Sequence, residues 1–533
     1  MRFKLTPVAV SLCVFGLIST PVFSATQNLD KLAAQVAQLQ QQIAVLQAQQ
    51  GRAAHQNKKT TTKAITTAAP QKKTGTPPAM PGASAAIDDS DRTTRPISGV
   101  SNLPTSGTTY LPVDLDVPGQ SFVSSGPYIG IPLQYSGSNL IINAPSVNQD
   151  VALLAVRKNI HKRLTALGVV EEDEHAHVLL SGTVEGQAMY KDIGGGPNST
   201  DIDVTNATLD AYILGPSQWL SSLFSMSYDN SIGAQEGSLA SNSRALNSRM
   251  FLNQAFITIG NFTKTAFYGT MGQVYVPFGT YANNMVSSPL TKIMARTKER
   301  AVTVGYQPQV DDAFYGSLYA FKGDTHAGAT SRVNNGGINL GYHFTEGKYH
   351  GDIGGGWIGN IADSIGMQAV ANNSTTFNGF GGTNGTGNER IAHRVPAYDA
   401  RAIFALGDHI DLLAEYITAS TSFNKNDMTM NNNGAKPQAL DTQAAYTFML
   451  FDRPTSVAIG YDMTKDALAL ELPYKRYSLV FNTSVWRDTL QSLEFRRDYN
   501  YGASNVATGS GISAPTASGK QDSAVTFQFD VYF

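Results

Sequence analysis

The sequence predicts an all-β transmembrane protein: an antiparallel β-barrel of about 16 strands, preceded by a short coiled-coil helix and a small periplasmic or plug segment. Three observations predict it. The chain ends in Val525, Phe527, Phe529, Val531 and Phe533 with Thr526, Gln528 and Asp530 between them, so the last strand is apolar on one face and polar on the other, as a tilted lipid-facing strand must be. Charged residues make up only 15% of the chain, against ~25% in soluble domains. From residue 173 to 533, alternating segments are joined by connections that are short and long in strict turn.

The elements follow in order. Residues 1–24 read as a signal peptide: Arg2 and Lys4 precede the apolar run Leu5 to Ile18, and Val22-Phe23-Ser24 supplies a small-residue cleavage site. The single cysteine, Cys13, lies in that run, so disulfides, thiolate metal sites and cysteine nucleophiles are excluded for the mature chain. Residues 25–50 are expected to form a coiled coil. Leu29, Leu32, Val36, Leu39, Ile43 and Leu46 repeat at heptad spacing, so residues 29–46 would self-associate, as dimer or trimer. Residues 51–110 are rich in Thr, Ala, Pro and Lys and poor in large apolar side chains, which makes them a flexible linker. The lysines of its first half suit either plain solvation or contact with anionic cell-wall polymers.

Order returns in 111–172, a small α+β unit. Ser146 and Gln149 form a capping box for a helix that carries Val151, Leu154, Ile160, Leu164 and Leu167 on one stripe and ends at Gly168. Arg157, Lys158, Lys162 and Arg163 occupy its other face. The unit either plugs the barrel or caps its periplasmic mouth.

Sixteen strands are expected to begin near residues 178, 204, 219, 250, 264, 300, 313, 336, 349, 394, 410, 438, 453, 474, 489 and 523. Short periplasmic turns and longer outer loops put both termini in the periplasm of a Gram-negative bacterium, with outer-membrane lipid around the wall. Nothing later than the signal offers 18 or more apolar residues for a helical span. Alternation assigns Asp399, Arg401, Asp411, Glu415, Arg476, Glu494 and Arg496 to the lumen, opposite Tyr398, Leu412, Tyr416, Tyr477, Leu493 and Phe495. An interior with both signs of charge is expected to be wet, and about sixteen strands leave room for an aqueous channel.

The third long connection, 277–299, opens with Val276-Pro277-Phe278-Gly279 and closes with the cations Lys292, Arg296, Lys298 and Arg300. Folded inward, it would narrow the barrel and favour anionic solutes such as polycarboxylates; held outward, it would bind surface polysaccharide. The run Glu171, Glu172, Asp173, Glu174, His175 and His177 reads as a charged turn, so no metal site is assigned. No catalytic motif stands out, no enzyme is predicted, and a net charge of −2 without a basic patch excludes nucleic acid.

The Ser125-Gly126-Pro127-Tyr128-Ile129-Gly130 segment leads to Asn143-Ala144-Pro145-Ser146-Val147-Asn148, and Pro277-Phe278-Gly279 runs on to Ser288-Pro289-Leu290, Ala295-Arg296-Thr297 and Arg300-Ala301. With the signal, coiled coil and barrel, nearly the whole mature chain resembles the LbtU-type siderophore porin family. The resemblance implies an outer-membrane channel or receptor that takes up ferric siderophore for iron acquisition, without a cofactor of its own. The chain is too short for a 22-stranded receptor with a globular plug, and no TonB box stands near Ala25. A general or anion-preferring porin, and an envelope-tethering barrel, are the alternatives.

Overall fold

The computed structural model describes residues 147–166 and 176–532, with breaks at 195, 216, 230–247, 311, 329–331, 369–376, 378, 382–388, 408, 452, 487–488 and 508–517. Upstream it describes four short strands, Leu115–Val117, Ser121–Ser125, Gln134–Ser136 and Asn139–Ile141. The expected signal peptide, coiled coil and linker, the acidic run 171–175 and the terminal Phe533 lie outside the described residues.

Sixteen antiparallel strands close into a barrel. They are β1 Ala176–Ile193, β2 Ser199–Leu214, β3 Leu220–Asp229, β4 Arg249–Gly260, β5 Phe267–Tyr275, β6 Lys298–Tyr306, β7 Ala313–Phe321 and β8 Asn335–Glu346. They continue as β9 Tyr349–Ile358, β10 Ala397–Leu406, β11 Ile410–Ala419, β12 Gln438–Leu450, β13 Arg453–Lys465, β14 Lys475–Thr483, β15 Thr489–Tyr499 and β16 Gln521–Tyr532. Each pairs with the next, and β16 returns to β1 from Asp522↔Ile193 to Tyr532↔Thr183, so the sheet has no free edge in lipid. Among the described residues no helix is long and apolar enough to cross a membrane.

Side-chain alternation explains the closure. In β14, Arg476, Ser478 and Val480 are buried, while Tyr477, Leu479 and Phe481 are 48%, 45% and 36% exposed. Val302, Val304, Leu318, Leu340, Ile459 and Phe495 are exposed in the same way on other strands. So much exposed apolar surface is stable only against hydrocarbon. Aromatic rings border this belt. At the end with short turns Phe267 meets Tyr306 at 5.0 Å and Phe314 meets Tyr342 at 4.7 Å; at the loop end Tyr477 lies 5.2 Å from Tyr461 and 5.7 Å from Tyr499. Rings that are apolar in body and polar at the rim suit the two lipid–water boundaries.

The first connection differs from expectation. Residues expected to form a long loop between the first two strands are instead strand, and β1 and β2 are joined by residues 194–198 alone. Asp201 and Asp203 are polar enough to continue the β1–β2 ladder where the hydrocarbon ends, and a register shift between Glu185 and Gly186 accommodates the change. At its other end β1 pairs in parallel with Ser121–Ser125.

A charge placed on the outer face measures the lipid assignment directly. Leu479→Arg is expected to destabilise the barrel by about 2–4 kcal/mol if it lies near the bilayer midplane, as read by urea titration of folding into liposomes. Leu479→Ala should cost much less; equal costs for the two variants would remove Leu479 from the lipid face.

Candidate functional site

Loop 3, residues 276–297, joins β5 to β6 and folds into the barrel. Its start is driven by burial: Val276 and Phe278 are wholly buried, as are Leu290, Met294 and Ala295 of the short helix α2, Leu290–Ala295. Gly279 sits at φ +77°, where a Cβ would also stand 2.6 Å from the Tyr281 ring, so only glycine allows the entry turn. Asn283, fully buried, ties the loop to itself by donating to the Met285 and Ser287 carbonyls at 2.9 and 2.8 Å and accepting from the Met285 N–H.

An irregular segment at membrane depth must have its amides satisfied. The barrel wall supplies the acceptors. Glu415 on β11 accepts from the Thr280 N–H at 2.6 Å, the Tyr281 N–H at 3.2 Å and the Thr291 hydroxyl at 2.8 Å. Gln443 on β12 accepts from the Asn284 N–H, Asp462 on β13 from the Leu290 N–H and Glu494 on β15 from the Ser287 N–H. Arg476 on β14 donates to the Ser288 carbonyl at 3.1 Å.

Glu415, Asp462 and Arg476 belong to one rung of the sheet, and Gln443 and Glu494 lie off it. Register aligns Arg401, Glu415, Asp441, Asp462, Arg476, Asp498 and Asp522 across consecutive strands from β10 to β16. Three carboxylates therefore stand side by side with an arginine at each end. Arg401 donates to Asp399 at 2.7 Å and also to Tyr315 and Asn339; Arg476 donates to Asp498 at 2.7 Å. Arg496 pairs with Asp498 at 3.3 Å. Asp399, Arg401, Asp411, Glu415, Arg476 and Glu494 are all buried on the inward face, and Arg496 shares that face with partial exposure. Most of them hydrogen-bond to loop 3 or to one another. Asp441, Asp462, Asp498, Gln443 and Asn283 were not singled out in the sequence, although the alternation around the first three marks them as inward.

Of the four cations expected to close the third loop, Lys292 and Arg296 lie in it, and Lys298 and Arg300 belong to β6, where the strand starts earlier than expected. Lys292 projects from α2 and, among the described residues, has neither an ion pair nor a hydrogen bond. Confinement in the lumen pushes its ammonium down, the Arg296 guanidinium pushes it further, and Glu185 on β1 partly offsets both, leaving it at about 7. Arg296 lies 4.6 Å above the Tyr275 ring. Lys298 donates to Asn253 Oδ1 at 3.2 Å. Arg300 is exposed near the start of β6, across from Gln273.

The opposite wall carries helix α1, Gln149–Ala166. Asp150 accepts from the Thr270 hydroxyl at 2.6 Å, Gln149 accepts from the Gln254 amide, and the Leu153 carbonyl accepts from Tyr212 at 2.9 Å. Leu154 packs with Phe262 and Tyr268, while Arg157 donates to the carbonyls of Leu220 and Ser217 at the turn end. At the loop end the long loops pack with loop 3 in one apolar cluster. Phe380 stacks on Phe423 at 5.3 Å, and Ser364 donates to the Met294 carbonyl beside Ile365–Gln368 (α3), whose first N–H reaches the Arg296 carbonyl.

The chain is 38% identical over 421 residues to a UPF0422 protein of Coxiella burnetii, matching 78% of this chain and 84% of that one. The chain belongs to the UPF0422 family. A UPF0422 protein of Legionella pneumophila is also 38% identical, over 77% of this chain and 76% of its own. No family model matches. Among solved structures, this UPF0422 protein is similar to the outer membrane channel DcaP of Acinetobacter baumannii at a TM-score of 0.43 and 12% identity, over 68% of this chain and 99% of that one. It is likewise similar to an anion-selective porin from Comamonas acidovorans at a TM-score of 0.44 and 10% identity, over 67% and 100% of the two chains.

Glu415 can be tested as the clamp on loop 3. Glu415→Ala removes four hydrogen bonds and strands the N–H groups of Thr280 and Tyr281, a loss of about 2–5 kcal/mol in holding the loop. Trypsin should then cut the folded barrel after Lys292, where the native protein resists. Unchanged resistance of a correctly folded variant would mean that the loop is held by something else.

Proposed function

We propose that this protein is a channel of the Gram-negative outer membrane, with the loop end outside, both termini in the periplasm and a lumen narrowed by loop 3. One observation carries the reading: among the described residues the Lys292 ammonium on the inserted loop has no ion pair or hydrogen bond, and it lies within electrostatic reach of Glu185 on β1. Polar side chains continue from Glu185 along that wall. Gln187 donates to Gln528 at 2.7 Å, and Gln528 donates to Asp530. A cation without a partner in a confined, poorly screened passage attracts carboxylates and other anions. The protein contributes a selective aqueous path and no chemistry.

On this reading the solute is a small anion, and the resemblance to the LbtU-type family makes a ferric siderophore, an anionic iron chelate, the specific proposal. Lys292 and Arg296 would meet it at the narrowest level, and Arg496 would meet it on the wall. A general or anion-preferring porin is the second reading. It is favoured by the contacts of loop 3 and α1 with wall residues on both sides, which leave less width than sixteen strands would enclose.

Reversal potentials across a salt gradient in planar bilayers test the channel. Lys292 is charged below its folded value and neutral above it. Anion preference is therefore expected at pH 6 and should fade as pH rises from about 7 toward the ordinary lysine range. Lys292→Gln should abolish that step, and Lys292→Glu should turn the preference toward cations. Block of the current by ferric siderophore, absent in Lys292→Gln, would separate the siderophore channel from a general porin; equal conductance with and without the chelate speaks for the latter.

A further inference from the structure

We propose that the loop end of β13–β15 carries, on its lipid face, a binding surface for the phosphate groups of a phosphorylated glycolipid in the surrounding leaflet. Lys465, Lys475 and Arg497 have the same outward parity as Ile459, Leu479 and Phe495, which are 60%, 45% and 49% exposed in the apolar belt. The register sets Met463 opposite Lys475, Lys475 opposite Tyr499, and Tyr477 opposite Arg497. Lys475 and Arg497 are thus diagonal neighbours, with Cα atoms about 7–8 Å apart.

Among the described residues of β13–β16 no acid shares this face; the nearest, exposed Asp192 on β1, stands opposite Ser523. The other outward residues at this level are Tyr461, Met463, Tyr477, Tyr499, Gln521 and Ser523, while Asp462, Glu494 and Asp498 point into the lumen and are engaged there. Among the described residues, Lys465, Lys475 and Arg497 form no ion pair. Arg497 donates to the Gln521 amide oxygen and lies 5.7 Å above the Tyr499 ring; Lys475 lies 5.2 Å above the Tyr474 ring.

The tyrosine rings mark the depth. Tyr461, Tyr477 and Tyr499 form a contiguous row at the loop-end boundary, where amphipathic rings sit at headgroup level. Cations without counter-charges at that depth are favourable only opposite an anionic headgroup. The rings also give the sugar ring of a glycolipid a flat apolar surface. This assignment rests on the outer-membrane orientation proposed above, which turns the loop end toward the outer leaflet.

Native mass spectrometry of the detergent-purified full chain tests it. The probes are lipid A carrying two phosphates and the same lipid with both phosphates removed. Each cation near a charged membrane surface contributes about fivefold, so K465Q/K475Q/R497Q should retain the bisphosphorylated lipid at least about tenfold less than the native protein. The charge-keeping K465R/K475R/R497K should retain it normally, and heat-modifiable mobility on gels shows that every variant folds. Equal retention by the neutral variant, or equal retention of the phosphate-free lipid, overturns the proposal. So does a variant that loses only its oligomeric state, which would assign the patch to a second copy. Single-channel conductance of the same samples keeps the two readings apart: a silent barrel that still retains the lipid refutes the channel and not the lipid surface.

Discussion

The structure depends on how the barrel satisfies the amides of loop 3. Irregular backbone inside a membrane protein survives only where protein or trapped water replaces bulk water as hydrogen-bond partner. Here the partners are carboxylates, which accept and never donate when ionised and which form stronger bonds to N–H groups than neutral acceptors do. Glu415 alone takes two backbone N–H groups and two hydroxyls. The same bonds stabilise the wall. Glu415, Asp441 and Asp462 would repel one another as neighbours on a bare sheet, and they are held by Arg401 and Arg476 at the ends of the row and by loop dipoles above it. The acidic row and the inserted loop therefore stabilise one another.

This coupling divides the lumen. Wall residues of β10–β15 are engaged in holding loop 3, so their charges are compensated and give little field to a passing solute. Lys292 of loop 3, unpaired among the described residues, is instead within electrostatic reach of Glu185 on β1. Selectivity in the proposed channel then resides in Lys292, the β16–β1 wall and Arg496 of β15, and not in the wall charges that hold loop 3.

Much of this was legible in the sequence. The period-two pattern of Tyr398 to Phe404 and of Ile410 to Tyr416 assigns inside and outside residue by residue, because lipid on one face and polar contacts on the other leave no alternative register. The rhythm of short and long connections gives the strand count, since a turn of a few residues can only join adjacent antiparallel strands. The destination of loop 3 was not legible. Thr280 and Glu415 are 135 positions apart, and what joins them is the curvature of a closed sheet, which no local pattern encodes. For the same reason the inward charges read as solvated: alternation says which way a side chain points and nothing of what it meets there. The length of β1 and β2 escaped as well, because beyond the hydrocarbon a strand no longer needs an apolar face.

Loop 3 and helix α1 are not equally fixed to the barrel wall. Loop 3 is bound on one side by side chains of β11 to β15 and on the other by the long loop that carries α3, through Ser364 and Ile365 on the Met294 and Arg296 carbonyls. Displacing it would expose a row of buried carboxylates and break both sets of contacts at once. Helix α1 is held by Gln149, Asp150 and Leu153 at its first turns, by an apolar contact of Leu154 with Phe262 and Tyr268, and by Arg157 on turn carbonyls. None of these leaves a buried charge uncompensated when broken except Asp150, whose partner is a single hydroxyl and its neighbour's N–H. A solute wider than the gap between the two therefore meets less resistance from α1 than from loop 3. In the proposed channel the loop acts as the fixed gauge of size and charge, and the helix is the element whose displacement sets the upper limit on what passes.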